Sequence, residues 1–443
     1  MINDTIVALA TPNMKSAISI IRISGPESIE LVNGIFSRDL KKVASHTINY
    51  GYIIEGDKKL DEVLVSVFKA PKTYTCEDVV EINTHGGIAI TRKILNIVLS
   101  KGARLANPGE FSQRAYLNGR IDMLEVEAIN DMVEATNEKA TQLAMSGLSK
   151  QTTKLINEFK ESLLQIIAQI EVNIDYPEYD DVKELTNNEI KVSLIDFKSE
   201  IMEIINNSKT SNMIKNGVKI AIIGRPNAGK SSLLNAFLEQ DKAIVTNIEG
   251  TTRDIVEADY MLNGINLIFL DTAGIRDTDD KVESIGIEKS LQASNEADLI
   301  ILVLDSNTQL NDFERDLINK NDPRMLVVIN KSDLNNKHEV DGIKISALNN
   351  DIEELKHAIV DKLDLDVDLN NEKLFLSNQR HLALLNQVDD AIDSAIMALN
   401  DNMPSDIIVS DLEQSYEYLQ ELLGQKYQDS LLDELFSRFC LGK

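Results

Sequence analysis

The sequence predicts a multidomain α/β and α protein in which an α/β unit with a mixed, mostly parallel sheet is inserted in a helical domain, behind an N-terminal α+β domain. Three observations carry this reading. Apolar runs at 218–223 (VKIAII), 265–270 (INLIFL), 297–305 (ADLIILVLD), 324–330 (RMLVVIN) and 342–346 (GIKIS) alternate with amphipathic stretches, as a sheet buried on both faces requires. On either side of that region the apolar period is three to four, the period of a helix face. With 443 residues the chain also exceeds what one core ordinarily organises, so several domains are expected.

In chain order, residues 1–118 read as an N-terminal domain of strands and short helices. AISIIRIS (17–24) and KLDEVLVSVFKA (59–70) are rich in β-branched residues, and DVVEINTHGG (78–87) runs a strand into a glycine turn. Residues 119–212 form a first helical half: Leu155, Ile156, Phe159, Leu163, Ile166, Ile167, Ile170 and Ile174 share one helix face, and Tyr176-Pro177 stops it. A second helical block starts near Glu189. Residues 213–368 are the α/β unit, with Asn263-Gly264 as a tight-turn pair that makes two strands antiparallel neighbours. Residues 369–443 return to helix, with Leu382, Leu385, Val388, Ile392 and Ile396 at helical spacing.

Acidic residues outnumber basic ones 72 to 45, for a formal charge of −27, which leaves no chain-wide electrostatic grip on RNA or an anionic membrane. Any nucleic-acid contact is then local. The two cysteines, Cys76 and Cys440, lie far apart and make no disulfide framework. No basic leader precedes a long apolar segment, and no run approaches the roughly 20 apolar residues of a membrane span. A cytoplasmic protein is expected.

GRPNAGKS, Gly224 to Ser231, fits the phosphate-loop pattern between an apolar strand and the helix that opens with SSLLNAFL. There Asn227, Ala228 and Gly229 supply backbone N–H groups, Lys230 a point charge, and Ser231 a hydroxyl for Mg²⁺, with Ser232 following in the first helical turn. DTAG (Asp271, Thr272, Ala273, Gly274) closes a buried strand, which puts Asp271 near the metal shell and the Gly274 N–H near a γ-phosphate. NKSD follows another strand with Asn330, Lys331 and Asp333, and the Asp333 carboxylate suits the N1–H and exocyclic amine of guanine. Adenine offers neither donor, so the nucleotide is expected to be GTP. Ser346 and Ala347 suit the loop behind the base.

Ile275 stands where many GTPases carry a water-orienting glutamine. Three groups can fill that role: an arginine (Arg253 or Arg276), a monovalent cation, or a carboxylate acting through water. For the cation, Asn227 is the informative residue, because its amide oxygen can join phosphate oxygens and loop carbonyls around K⁺.

With GTTRD (Gly250 to Asp254), DTAGIRD, VESIGIEKS (Val282 to Ser290) and the terminal FCLGK, the chain resembles the tRNA-modification GTPase family MnmE, also called TrmE. The opening DTIVALATP, the DVVEINTHGG stretch and PGEFSQRAYLNGR (108–120) are similar to that family's N-terminal domain, so the resemblance covers essentially the whole chain. It implies a Ras-like G domain, and G domains that pair across a homodimer in the presence of K⁺. It also implies a tetrahydrofolate-binding-like N-terminal domain that dimerises constitutively. Thr246, Ile248 and Thr251 match the segment that holds K⁺, within a GTP-contacting stretch that also contains Asn247, Glu249 and Gly250; Thr252 matches the switch threonine on Mg²⁺. Glu283 aligns with the family's water-orienting glutamate, which with Lys230 and Cys440 completes the implied catalytic set.

Arg22, Glu81, Arg120 and Lys443 match positions that face a 5-formyl-tetrahydrofolate-type ligand; read from the residues alone, they are equally well ordinary ion pairs. Cys440 by itself reads as a small packed hydrophobe, whereas the family needs a similar terminal Cys for tRNA modification; here Leu441 replaces an isoleucine. NMKSAISIIRISG replaces a glycine-rich run of the family. His85 has no partner at metal-ligand spacing and reads as a turn residue beside Gly86-Gly87. The implied function is a K⁺-stimulated GTPase that, with an FAD-containing partner in a heterotetramer, modifies C5 of the tRNA wobble uridine by a carboxymethylaminomethyl or aminomethyl group. The alternative is a regulatory GTP switch in ribosome assembly or translation.

Overall fold

The computed structural model describes residues 4–175, 187–240, 258–270, 293–334, 340–363, 376, 378–426, 436, 439 and 442. Two compact units result: residues 1–130 with 416–443, and residues 131–415.

The first unit is built on β1 (Ile6–Leu9), β2 (Ile18–Ser24), β3 (Thr47–Glu55), β4 (Lys58–Phe68), β5 (Val79–His85) and β6 (Arg104–Leu105), in sheet order β3-β4-β5-β2-β1-β6. All pairs are antiparallel except β1 with β6. Alternate residues Ile21, Ile23, Val63, Val65, Val67, Val80 and Ile82 bury one face of this sheet, the two-residue period of a half-covered sheet. Helices α1 (Ser28–Asn33) and α2 (Ile88–Ser100) cover it with Val32, Ile94 and Val98. On the other face Ile18, Ile48, Tyr50 and Leu64 are exposed. His85 ends β5 rather than lying in the turn, and its Nδ1 is 2.6 Å from Asp61.

Helix α3 (Glu110–Leu117) inserts Arg114 into this unit, where it is 1% exposed. Its guanidinium meets Asp4 at 2.7 Å, Glu110 at 3.0 Å and Glu77 at 3.1 Å. Burial pushes the Glu110 carboxyl up, but hydrogen bonds from Arg104, the Asn107 N–H and Arg114 outweigh it and hold it below the usual carboxylate range. Such a depressed carboxyl stabilises the fold at neutral pH, and that contribution is lost as pH falls through its own pKa. Arg114→Met takes a buried cation from three acidic partners, so a loss of about 3–5 kcal/mol is expected, read as a lowered urea midpoint of the full-length chain.

The C-terminal segment packs on the same unit. Phe436 and Phe439 join Met123 and Val126 in one buried cluster, and the Tyr116 hydroxyl donates to the Gly424 carbonyl at 2.9 Å.

The second unit holds the helical pair α4 (Gln151–Asp175) and α5 (Asn187–Asn216). The apolar face expected on α4 is buried through Ile156, Phe159, Leu163, Ile166, Ile167 and Ile170, with Phe159 edge-on to Phe197 of α5 at 5.7 Å. α4 is described as far as Asp175, and Tyr176-Pro177, expected to stop it, lies outside the described residues. Later in the chain, α9 (Gln379–Asn400) returns against α5, and Lys198 of α5 pairs with Asp393 at 2.5 Å.

Between these helices lies the Ras-like sheet: β7 (Val218–Ile223), β8 (Ala258–Leu262), β9 (Ile265–Leu270), β10 (Leu299–Asp305), β11 (Met325–Asn330) and β12 (Ile343–Lys344). Its order is β12-β11-β10-β7-β9-β8, parallel except for the β8–β9 hairpin. Asn263 and Gly264 turn that hairpin with φ of 49° and 78°, the left-handed pair that such a tight turn needs. Helices α6 (Lys230–Gln240), α7 (Asp312–Lys320) and α8 (Glu353–Lys362) flank the sheet. The expected strands form: β10 is buried throughout and β7 is buried except at Lys219, whereas the edge strand β8 exposes alternate residues and the edge strand β12 is two residues long with Lys344 exposed.

Candidate nucleotide site

The site lies at the carboxyl ends of β7, β10 and β11, where open α/β sheets bind ligands. β7 runs out into residues 224–229, and α6 begins at Lys230. Two glycines let the loop pass. Gly224 has φ +149° and a Cβ there would stand 2.4 Å from the Val303 carbonyl oxygen; at Gly229, φ +96°, it would stand 2.1 Å from Asn330 Nδ2. Asn227 is itself left-handed at φ +62° and exposed. The loop therefore leads its backbone N–H groups into a helix N-terminus, a ready anion site.

Lys230 Nζ donates to the carbonyls of Gly224 and Arg225, each at 2.8 Å. Burial holds its pKa below the usual lysine range. Ser231 and Ser232 follow in the first turn of α6 and are exposed. From the loop, Arg225 reaches the buried Glu314 of α7 at 2.9 Å and the Thr308 hydroxyl at 2.5 Å. Glu314 also closes the capping box of α7 with Asn311, so one carboxylate serves both the helix start and the phosphate loop.

Asn330 ties the site together. Its Nδ2 donates to the Ala228 carbonyl at 3.0 Å, and its Oδ1 accepts from the N–H groups of Lys331 at 2.8 Å and Ala347 at 3.1 Å. At 2% exposed it is a bolt between three loops. The Ser346 hydroxyl donates to Asp333 Oδ1 at 2.7 Å, leaving that exposed carboxylate oriented and able to accept from a base. Asn227, Ala228, Asn330, Lys331, Asp333, Ser346 and Ala347, some of them more than a hundred residues apart, are thus tied together by hydrogen bonds, with Gly229 packed against Asn330 and Lys230 bonded within the same loop. The spacing did not reveal Arg225, Asp305, Ser306 or Glu314 as its supports. A carboxylate ending an otherwise apolar strand, Asp305, was the one available sign.

Thr246, Asn247, Ile248, Glu249, Gly250, Thr251, Thr252, Asp271, Thr272, Ala273, Gly274, Glu283, Cys440 and Lys443 lie outside the described residues, as do Arg253, Ile275 and Arg276.

In the first unit, Arg22 and Glu81 face each other across β2 and β5 and pair at 2.8 Å. Arg22 also donates to the Gly442 carbonyl at 2.9 Å, which brings Gly442 to this pair. Arg120 donates instead to the Tyr74 carbonyl at 2.9 Å and stacks on the Tyr74 ring at 4.9 Å. Phe111 lies under Arg22 and Tyr74 packs on the Phe111 cluster, so the two arginines share one apolar neighbourhood.

A phosphate loop opening a helix, a mostly parallel sheet and an oriented NKSD aspartate together define a guanine-nucleotide-binding protein of the Ras-like class. Residues 5–120 match the family described as GTP-binding protein TrmE N-terminus, and residues 123–440 match the MnmE helical domain. The chain is 43% identical over 455 residues to the tRNA modification GTPase MnmE of Ligilactobacillus salivarius, covering 99% of this chain and 98% of the relative. It is 44% identical to the proteins of that name from Pediococcus pentosaceus over 458 residues, covering 99% of this chain and 98% of that one, and from Streptococcus mutans over 450 residues, covering 99% of each. The chain belongs to the tRNA modification GTPase MnmE family.

Proposed function

We propose that this chain is a K⁺-stimulated GTPase that works as a homodimer with an FAD-containing partner to install a carboxymethylaminomethyl or aminomethyl group at C5 of the wobble uridine in certain tRNAs. The coarser part, a GTPase of tRNA modification, follows from membership of the family. The observation that carries the nucleotide chemistry is Asn330, bonded at once to the phosphate loop and to both base-side loops. Among the described residues no helix is long and apolar enough to cross a membrane, and the cytoplasm is the compartment proposed.

Hydrolysis breaks the bond between the bridging oxygen and the γ-phosphorus as water attacks in line, so the chain's task is to place groups and hold charge. Lys230 offers an ammonium already drawn into the loop by two carbonyls. Ser231, with Thr252, is proposed to hold Mg²⁺, which supplies charge neutralisation at the phosphates when bound. The donor set suits K⁺: Asn227 is exposed, left-handed and part of the loop, and with Thr246, Ile248 and Thr251 it offers only uncharged oxygens. K⁺ held there would supply the positive charge that an arginine finger supplies elsewhere. Glu283 is proposed to orient the water, since Ile275 cannot. Arg22, Glu81, Arg120 and Lys443 are proposed to hold a reduced folate that donates one carbon, with Cys440 needed for the modification. Four domains are proposed, with boundaries near residues 118, 212 and 368.

The test is nucleoside analysis of tRNA from cells lacking this chain, complemented with the unsubstituted protein or Glu283→Ala. The expected results are unmodified wobble uridine without the protein, and hydrolysis slowed about 100-fold in the variant with GDP affinity nearly kept. A full complement of modified uridine in the deletion strain would replace this reading with a regulatory switch.

A further inference from the structure

Asp305 ends β10, a strand buried throughout, and pairs with Lys331. Its Oδ2 accepts from Lys331 Nζ at 2.6 Å, and its Oδ1 accepts from the Asn307 N–H at 2.9 Å. The same ammonium donates to the Asn227 carbonyl at 2.9 Å. At its other end Lys331 is equally constrained. Its backbone is left-handed at φ +62°, and its carbonyl accepts from the Ser306 hydroxyl at 2.7 Å. The side chain therefore spans from the base loop to the phosphate loop, pinned at both ends.

A lysine bridging two loops pays for that order in side-chain entropy and has an exposed route to solvent, with 35% of its side chain accessible. An aligned carboxylate removes that freedom. Burial pushes the Asp305 carboxyl up, yet hydrogen bonds from Lys331 and Asn307 and the charges of Lys331 and Arg225 hold it below the usual carboxylate range, so it is ionised at neutral pH. Arg225 and Lys230 crowd the same loop with positive charge, which favours displacing a third cation unless an anion retains it.

We propose that Asp305 is a positioning residue for guanine-nucleotide affinity: it holds the Lys331 ammonium on the Asn227 carbonyl and so presets the junction between the base loop and the phosphate loop. The inference rests on the reading that one guanine nucleotide occupies both loops. Because Asp305 acts through Lys331, its effect falls on binding and release, where preorganisation acts, rather than on turnover of bound GTP.

The experiment is a double-mutant cycle of Asp305→Asn and Lys331→Met in the full-length chain, read by the dissociation constant and release rate of fluorescent GDP. Binding by the unsubstituted chain is measured first, and its absence would overturn the nucleotide reading itself. Given that binding, Asp305→Asn, which keeps an acceptor for the Asn307 N–H, is expected to raise the dissociation constant about tenfold. Added to Lys331→Met it is expected to change it less than about twofold. KM for GTP rises in the single variant while kcat holds within about twofold. An equal loss in both backgrounds, as a merely structural role would give, overturns the proposal, as does no loss in either. Should the asparagine variant lose its native circular dichroism, Asp305→Ser is read in the same cycle.

Discussion

Lys230→Ala is expected to weaken GDP binding by about 100-fold or more and to bring GTP hydrolysis to background. The side chain is already committed to the loop, with Nζ 2.8 Å from two carbonyls that an arriving phosphate would supplement or replace. Hydrogen bonds to charged groups contribute about 1.5–3 kcal/mol each, so losing two at the phosphates is worth two or more decades in affinity. Hydrolysis suffers further, because charge shifts onto the phosphate oxygens in the transition state and a preorganised cation acts there at full strength. The lowered pKa adds a pH signature. Burial disfavours the ammonium in the free protein, while phosphate restores it, so protonation is linked to binding. GDP affinity of the unsubstituted chain should fall as pH rises through the alkaline range just below ordinary lysine values, and that slope should vanish in the alanine variant. Isothermal titration with GDP across pH, together with phosphate release from GTP, checks both. Binding within about threefold of the parent, a small fraction of a charged contact, would show that the ammonium does not meet phosphate.

Asp333→Asn is expected to cost about 1,000-fold in GDP affinity and to transfer preference to xanthosine diphosphate. Guanine presents N1–H and an exocyclic amine, two donors that need a carboxylate. An asparagine amide offers one acceptor and one donor, which suits a base carrying a carbonyl in place of that amine. A site built to receive hydrogen bonds rejects a ligand that leaves them unmade by about 10⁴-fold or more, and an exposed carboxylate gives a share of that. Ser346, whose hydroxyl fixes Asp333 Oδ1 at 2.7 Å, keeps either side chain in place. Competition against fluorescent GDP by GDP, XDP and ADP measures the exchange. Unchanged preference for GDP would mean that Asp333 does not read the base.

Much of this was visible in the residues because period carries burial. The α4 face from Ile156 to Ile170, the apolar run of β10 that ends at Asp305 and the Asn263-Gly264 hairpin each follow from a local rule. The phosphate loop was legible for the same reason, since strand, glycine turn and helix are contiguous. β3 was not, because Ile48, Tyr50 and Tyr52 lie on its outward face and blur the alternation. β6 has only two residues and exists through its pairing with β1. The ties that shape the site were equally hidden: Arg225 with Glu314, Lys331 with Asp305, and Asn330 with Ala228 join residues 26 to 102 positions apart. No spacing encodes such pairs; only the order of strands in the sheet does. Arg114 illustrates the same limit in the first unit, where a basic residue in an amphipathic helix turns out to be nearly fully buried among three carboxylates.

The central claim is the proposal that an alkali ion at the Asn227 loop, rather than an arginine side chain, supplies the positive charge that drives hydrolysis. Steady-state GTP turnover by the full-length chain in KCl and in NaCl, at equal ionic strength and saturating Mg²⁺ and GTP, tests it most directly. The account predicts that K⁺ raises kcat by about tenfold or more, a modest part of what a charge at this position contributes, while Na⁺ leaves it at the unstimulated rate. Equal rates in the two salts would contradict it.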